Sequence, residues 1–153
     1  KCSSAYGPEI GLGDTSLGLG ATPLARAAKA NDLPVMRLLL EHGADPTLTL
    51  KDRTTTAMLA SSLEAIQLLV EHGVDVNAFN TNGQTLLHNA AGRGANSVIT
   101  YLAGAGARLD RKDRGGRTAL DIARGAGGGG GRGGGGRVNE ATAALLEQLM
   151  AAR

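Results

Sequence analysis

The feature that most constrains what this chain can fold into is a recurrence. A front segment, Thr22-Pro-Leu-Ala-Arg-Ala-Ala28, is followed by a back segment, Leu33-Pro-Val-Met-Arg-Leu-Leu-Leu-Glu-His-Gly-Ala-Asp45. Thr55 to Ala60, Thr85 to Ala90 and Thr118 to Ala123 repeat the front, while Leu68 to Asp75 and Tyr101 to Ala107 repeat the back. The leading threonines stand at 22, 55, 85 and 118, giving spacings of 33, 30 and 33. A unit repeated at fixed period cannot bury its apolar face alone and must stack on its neighbours. Within a unit the residues read as helix, tight turn, helix and stop. Thr22 starts a helix with Pro23 just inside it, where a missing N–H is harmless. Asp32 caps a second helix, and Gly43 supplies its left-handed stop.

This pattern resembles the ankyrin repeat family, whose units carry a Thr-Pro-Leu-His front at a period of 33 residues. The resemblance covers roughly residues 17–152, with both ends of the unit in register. It implies an all-α solenoid of helix–turn–helix units with extended finger loops. The repeats fall at about 21–53, 54–83, 84–116 and 117–152. Composition agrees with a thin two-helix stack: aromatics make up 2% of the chain, which suits a Leu, Ala, Val and Ile core and not a deep pocket. The Gly-rich and Ala-rich composition, with Arg favoured over Lys, is similar to ankyrin segments of bacterial proteins.

Each unit carries its own expectations. In the first, Leu24, Ala27 and Ala28 form the inner face of helix one, and Val35, Met36, Leu38, Leu39 and Leu40 carry the stripe of helix two. The second unit has Arg53 where the family has Gly at the finger tip, which predicts a different turn. Its inter-helix segment is three residues short, so Ser61 and Ser62 must make the turn and the helix before them must be clipped, unless a loop is missing near Ser62. The third is the most regular, with Asn82-Gly83 as a strong turn dipeptide. The fourth is split by a Gly-rich stretch at 125–136, after which Asn139 is placed as the cap of a last helix and Val138 as its hydrophobic staple. Residues 1–20 show no periodicity and read as a loop leading from an absent upstream repeat or as a tail. A first residue of Lys points to a fragment or processed product, which leaves localisation open.

Candidate chemistry is sparse. By resemblance, His88 is the histidine of the family's front and makes a buried hydrogen bond tying its helix to the neighbouring finger. His42 and His72 lie one repeat apart, about 8–10 Å, too far for one metal with ligands at about 2 Å. No nucleophile–base–orienter trio is suggested, and Cys2 stands alone, so no disulfide forms within the chain. The glycine run lacks a Gly-Lys-Ser/Thr ending and does not follow a strand, so it is not a phosphate loop. No catalytic residue, metal site or cofactor is assigned. No stretch approaches the ~18 consecutive apolar residues of a membrane span.

Charge is more informative. From Arg108 to Arg137, eight basic residues stand against three acidic ones, an excess of five positive charges in a chain whose total is +2. Such a segment suits an acidic partner surface or a polyanion. Arginines within glycine runs resemble nucleic-acid-binding segments, but the aromatics that stack bases are missing, which disfavours nucleic acid. By resemblance, partners lie across the finger tips and the exposed face of the first helices. That places the contact residues at Lys51, Asp52, Thr54, Thr81, Asn82, Gln84, Arg93, Arg114 and Arg117. The expected function is therefore a non-enzymatic module binding a partner protein. The alternative is a structural element packing on other domains of its own parent chain, or self-associating end to end. An inner leucine such as Leu39 or Leu69 should couple adjacent repeats in either case.

Overall fold

Four threonines organise the stack because each stands at the N-cap position of a helix, and three of them cap it through the side chain. In the computed structural model, which describes residues 21–125 and 138–152, Thr22 Oγ1 accepts a hydrogen bond from Ala25 N at 3.1 Å. Thr55 Oγ1 accepts from Met58 N, and Thr118 Oγ1 from Asp121 N at 3.2 Å. Such caps satisfy N–H groups that the first helical turn would otherwise leave without a partner. The helices that follow them are α1 (Pro23–Ala30), α3 (Thr56–Leu59), α5 (Leu86–Arg93) and α7 (Ala119–Ala123). Their partners within each unit are α2 (Leu33–Glu41), α4 (Leu63–Glu71), α6 (Asn96–Gly104) and α8 (Glu140–Ala151).

The helices form two layers. Helices α1, α3, α5 and α7 touch in succession, as do α2, α4, α6 and α8, and each first helix packs on the second of its own unit. The core runs between the layers through Leu24, Met36, Ile66, Leu69, Leu87, Ile99, Leu102 and Leu146, all under 2% exposed. No extended strand occurs among the described residues. The fingers contain only isolated antiparallel bridges, Thr49 with Thr55 and Phe79 with Thr85. The chain is thus the all-α solenoid that the resemblance implies.

The structure corrects several local expectations. Of the five residues in the predicted stripe of α2, Met36 and Leu40 are buried and Leu39 is half-buried, while Val35 and Leu38 are exposed. At 3.6 residues per turn, residues so closely spaced cannot all share one face. Arg53 adopts φ 62°, beside 73° at Gly83 and 75° at Gly116. The turn is therefore the same one in all three fingers, held left-handed despite a side chain. Asn139 occupies the cap position of α8 without capping it. Its N–H instead donates to the Ala123 carbonyl at 2.8 Å. Its side chain fills the space beside Gly94, where an added Cβ would come within 3.1 Å of it. Val138 is 59% exposed and is not a staple.

Repeat two is clipped as its length requires. Helix α3 has four residues where α1 has eight, and Ala60 after it is already extended. Two neighbours repair the deficit. Asn31, the left-handed cap of α1, accepts from Ser61 N at 3.3 Å and Ser62 N at 3.2 Å through Oδ1. Its Nδ2 donates to Ser61 Oγ at 3.0 Å. From the other side, Arg93 Nη1 donates to the Ala60 carbonyl at 3.0 Å. Ser62 then caps α4 through Ala65 N. The tail at 1–20 and all but the first residue of the glycine stretch 125–136 lie outside the described residues.

Candidate functional site

The fingers are built by one turn used three times. The carbonyls of Leu50, Asn80 and Asp113 accept from the N–H groups of Arg53, Gly83 and Gly116. The N–H groups of Leu50, Asn80 and Asp113 donate to the carbonyls of Thr54, Gln84 and Arg117. This is a turn followed by a left-handed residue, a common way to close a three-residue hairpin loop. Asn80 and Asp113 brace their turns from within. Asn80 Oδ1 accepts from Asn82 N and Gln84 N, and Asp113 Oδ1 accepts from Gly115 N and Arg117 N. Leu50 cannot do this, and Asp52 compensates by accepting from Thr54 N at 3.1 Å and Thr54 Oγ1 at 2.7 Å.

Adjacent fingers are joined tip to tip. Thr81 N donates to the Asp52 carbonyl and Arg114 N to the Asn82 carbonyl, each at 2.9 Å. Seven of the candidate contact residues, from Lys51, Asp52 and Thr54 through Thr81, Asn82 and Gln84 to Arg114, therefore lie along one continuous row. Lys51, Asp52, Thr81, Asn82 and Arg114 are exposed there, and Thr54 and Gln84 are half-buried.

The other two candidates have structural engagements. Arg93 is exposed but closes the clipped helix through Ala60. Arg117 directs Nε and Nη2 onto Asp113 Oδ2 at 3.1 and 2.7 Å, with the Asp113 side chain only 1% exposed. Burial pushes the Asp113 pKa up. The Arg117 guanidinium, the Arg117 N–H and charge and the Gly115 N–H outweigh it and leave the carboxyl below the ordinary carboxylate value.

His88 ties this row to the helices. Its Nδ1 accepts from Thr85 N at 3.2 Å and lies 2.9 Å from Thr85 Oγ1. Its Nε2 lies 3.2 Å from the Arg117 carbonyl in the next finger. These partners assign a neutral ring with the proton on Nε2. Burial lowers its pKa most strongly. The Arg117 carbonyl, the Asp113 charge and an Arg111 backbone bond oppose that shift, and the Arg111 charge adds to it. His88 therefore links helix to finger, as its place in the repeat implies. His42 and His72 each turn Nδ1 back to a carbonyl of their own helix, Leu38 at 2.8 Å and Leu68 at 2.7 Å.

Sequence reasoning missed three residues of the row. Phe79, the chain's single phenylalanine, is 36% exposed at the base of the second finger. Arg111 lies over its ring at 4.1 Å from the centroid and Arg53 at 5.1 Å. The signal available was the presence of one aromatic among the fingers. No cluster of three or more metal-ligating side chains occurs among the described residues. No helix among them is long and apolar enough to cross a membrane.

Two family models match the chain. One, described as ankyrin repeats (3 copies), covers residues 4–80, and another, described as ankyrin repeats (many copies), covers residues 69–123. The chain is also similar to the transient receptor potential cation channel subfamily A member 1 homologue of Caenorhabditis elegans, at 32% identity over 108 residues. That match takes in 69% of this chain and spans only 9% of the channel homologue.

Proposed function

The chain belongs to the ankyrin repeat family, and from that premise we propose that it is a non-enzymatic module that binds a partner protein along its row of fingers. Ankyrin repeats are generally protein–protein interaction modules. The observation that carries the reading is the tip-to-tip bonding of the fingers, Asp52 to Thr81 and Asn82 to Arg114. Those bonds use backbone atoms and leave the side chains of Lys51, Thr81, Asn82 and Arg114 exposed along one edge. A rigid backbone with unspent polar side chains loses little entropy on binding. The first helices are short and tied to the fingers, so the partner meets the two together. Arg93 and Arg117 contribute by holding the surface in shape.

The test compares the parent chain with a Lys51→Ala/Thr81→Ala/Arg114→Ala variant, which leaves every described backbone bond of the fingers possible. Both are used to capture proteins from the native lysate, with circular dichroism to confirm equal folding. A protein held by the parent and released by the variant supports the reading. Equal retention by both moves the interface off the fingers and contradicts it.

A second reading rests on a different observation. Val35 and Leu38 on α2 are 41% and 54% exposed, and Met150 on α8 is 40% exposed. These apolar side chains lie on the first and last helices of the second layer, where an end-to-end contact with another copy or another domain would cover them. Sedimentation velocity over a range of concentrations distinguishes the two: a mass that rises with concentration favours self-association, and a constant mass favours the binding module.

A further inference from the structure

The finger row carries a charge that its own carboxylates do not neutralise. Lys51, Arg53, Arg111, Lys112 and Arg114 all lie in or beside the finger tips, and none has an ion-pair partner among the described residues. Three acids lie among them, Asp52, Asp110 and Asp113, so with Arg117 the tips carry six cations against three carboxylates, and two of those carboxylates are engaged within the fingers. Asp52 accepts from Thr54 twice, and Asp113 is bound by Arg117. Two of the free cations meet at one place, since the guanidinium carbons of Arg53 and Arg111 lie 5.1 and 4.1 Å from the Phe79 ring centroid.

Two further facts make this meeting more than a solvated charge run. Arg53 stands in the left-handed conformation that Gly83 and Gly116 occupy in the neighbouring fingers. A long side chain kept at a position suited to glycine is a local strain of the kind that gathers at functional sites. Furthermore, like charges drawn to one ring repel, and an anionic partner beside them relieves that repulsion. Guanidinium groups resting on a ring keep their N–H edges available, and those edges fit a carboxylate in two-point fashion.

We propose that the Arg53–Phe79–Arg111 cluster is the anchor of a docking surface for an acidic segment of a partner protein, whose Glu or Asp carboxylates engage the N–H edges of the guanidinium groups. This rests on the protein-binding reading of the fingers and adds the partner's chemistry to it. An acidic peptide fits better than a nucleic acid because the row offers one ring, where single strands need a series of rings to stack successive bases.

The probe is a fluorescein-labelled decapeptide of alternating Glu and Asp, read by fluorescence anisotropy against the full chain at physiological salt. Arg53→Glu/Arg111→Glu should weaken binding about tenfold or more. Arg37→Glu/Gln67→Glu/Gln148→Glu, the same change in net charge placed on the second-layer helices, should weaken it less than about threefold. Arg53→Gly, which suits the turn, should weaken binding while leaving the melting curve cooperative. Equal loss in both charge-altered variants would mean a diffuse charge effect and overturn the proposal. Tighter binding of oligodeoxythymidylate, lost in the same variants, would overturn it in favour of nucleic acid. A partner that still binds the fingers when the acidic peptide does not would overturn this inference alone and leave the protein-binding reading in place.

Discussion

Arg93 Nη1 donates to the Ala60 carbonyl at 3.0 Å across 33 residues, one full repeat. The bond closes the end of a helix that stops after four residues. Arg93→Ala should therefore destabilise the stack by about 1 kcal/mol, the net worth of a typical hydrogen bond. Urea denaturation measures this. A midpoint matching the parent would show that the clipped helix needs no outside donor for its Ala60 carbonyl.

Leu69 on α4 is fully buried between neighbouring repeats. Leu69→Ala should cost about 2–5 kcal/mol, as large-to-small changes in packed cores do. Leu39, half-buried on α2, should cost less. Thermal melts of the two variants side by side check the order, and a smaller loss for Leu69→Ala would put the core in the wrong place.

Acid should weaken the stack through His88. Its folded pKa lies below the ordinary 6.5. As pH falls through about 6.5, the unfolded chain takes up a proton that the folded chain still refuses. Stability is thus complete above that value and is lost progressively on the way down to the lower folded pKa. Protonation of Nδ1 also removes the acceptor for Thr85 N. Urea midpoints at pH 7.5 and pH 5.5 should differ for the parent. His88→Gln should be weaker at both and flatter between them. An unchanged slope in the variant would assign the acid sensitivity elsewhere.

Arg53→Gly should raise stability. A non-glycine residue in a sparsely populated conformation costs on the order of 1–3 kcal/mol, whereas an exposed cation–π contact returns about 0.5–1 kcal/mol. The melting temperature should rise, while binding of an acidic peptide falls. A lower melting temperature would mean that the contact with Phe79 outweighs the backbone strain.

The period and the caps were legible in the sequence because each depends on residues close together in the chain. Thr22, Asp32 and Gly43 act within four residues of themselves, and they lie where the repeat puts them. His88 could be placed because its role recurs with the family's front. The finger turn at Arg53 was not legible. Local preference argues against a left-handed arginine, and only the neighbouring finger, bonded through Thr81 N, shows why the turn is kept. The bonds that engage Arg93 and Arg117 were not legible for a related reason. Both look like free surface charges in the sequence, and their partners, Ala60 and Asp113, are identified only once the chain is folded. The Arg53–Phe79–Arg111 cluster joins residues from three fingers, so no single window of sequence contains it.

The most direct test of the account is where a partner touches the chain. A photoreactive benzoylphenylalanine is placed at Asn82, on the finger row, or at Glu71, exposed at the far end of α4. Each chain is irradiated in native lysate, and the adducts are identified by mass spectrometry. The account predicts a discrete protein adduct from Asn82 that Arg53→Glu/Arg111→Glu suppresses, and none of that mass from Glu71. The same adduct from Glu71 with none from Asn82 would contradict it.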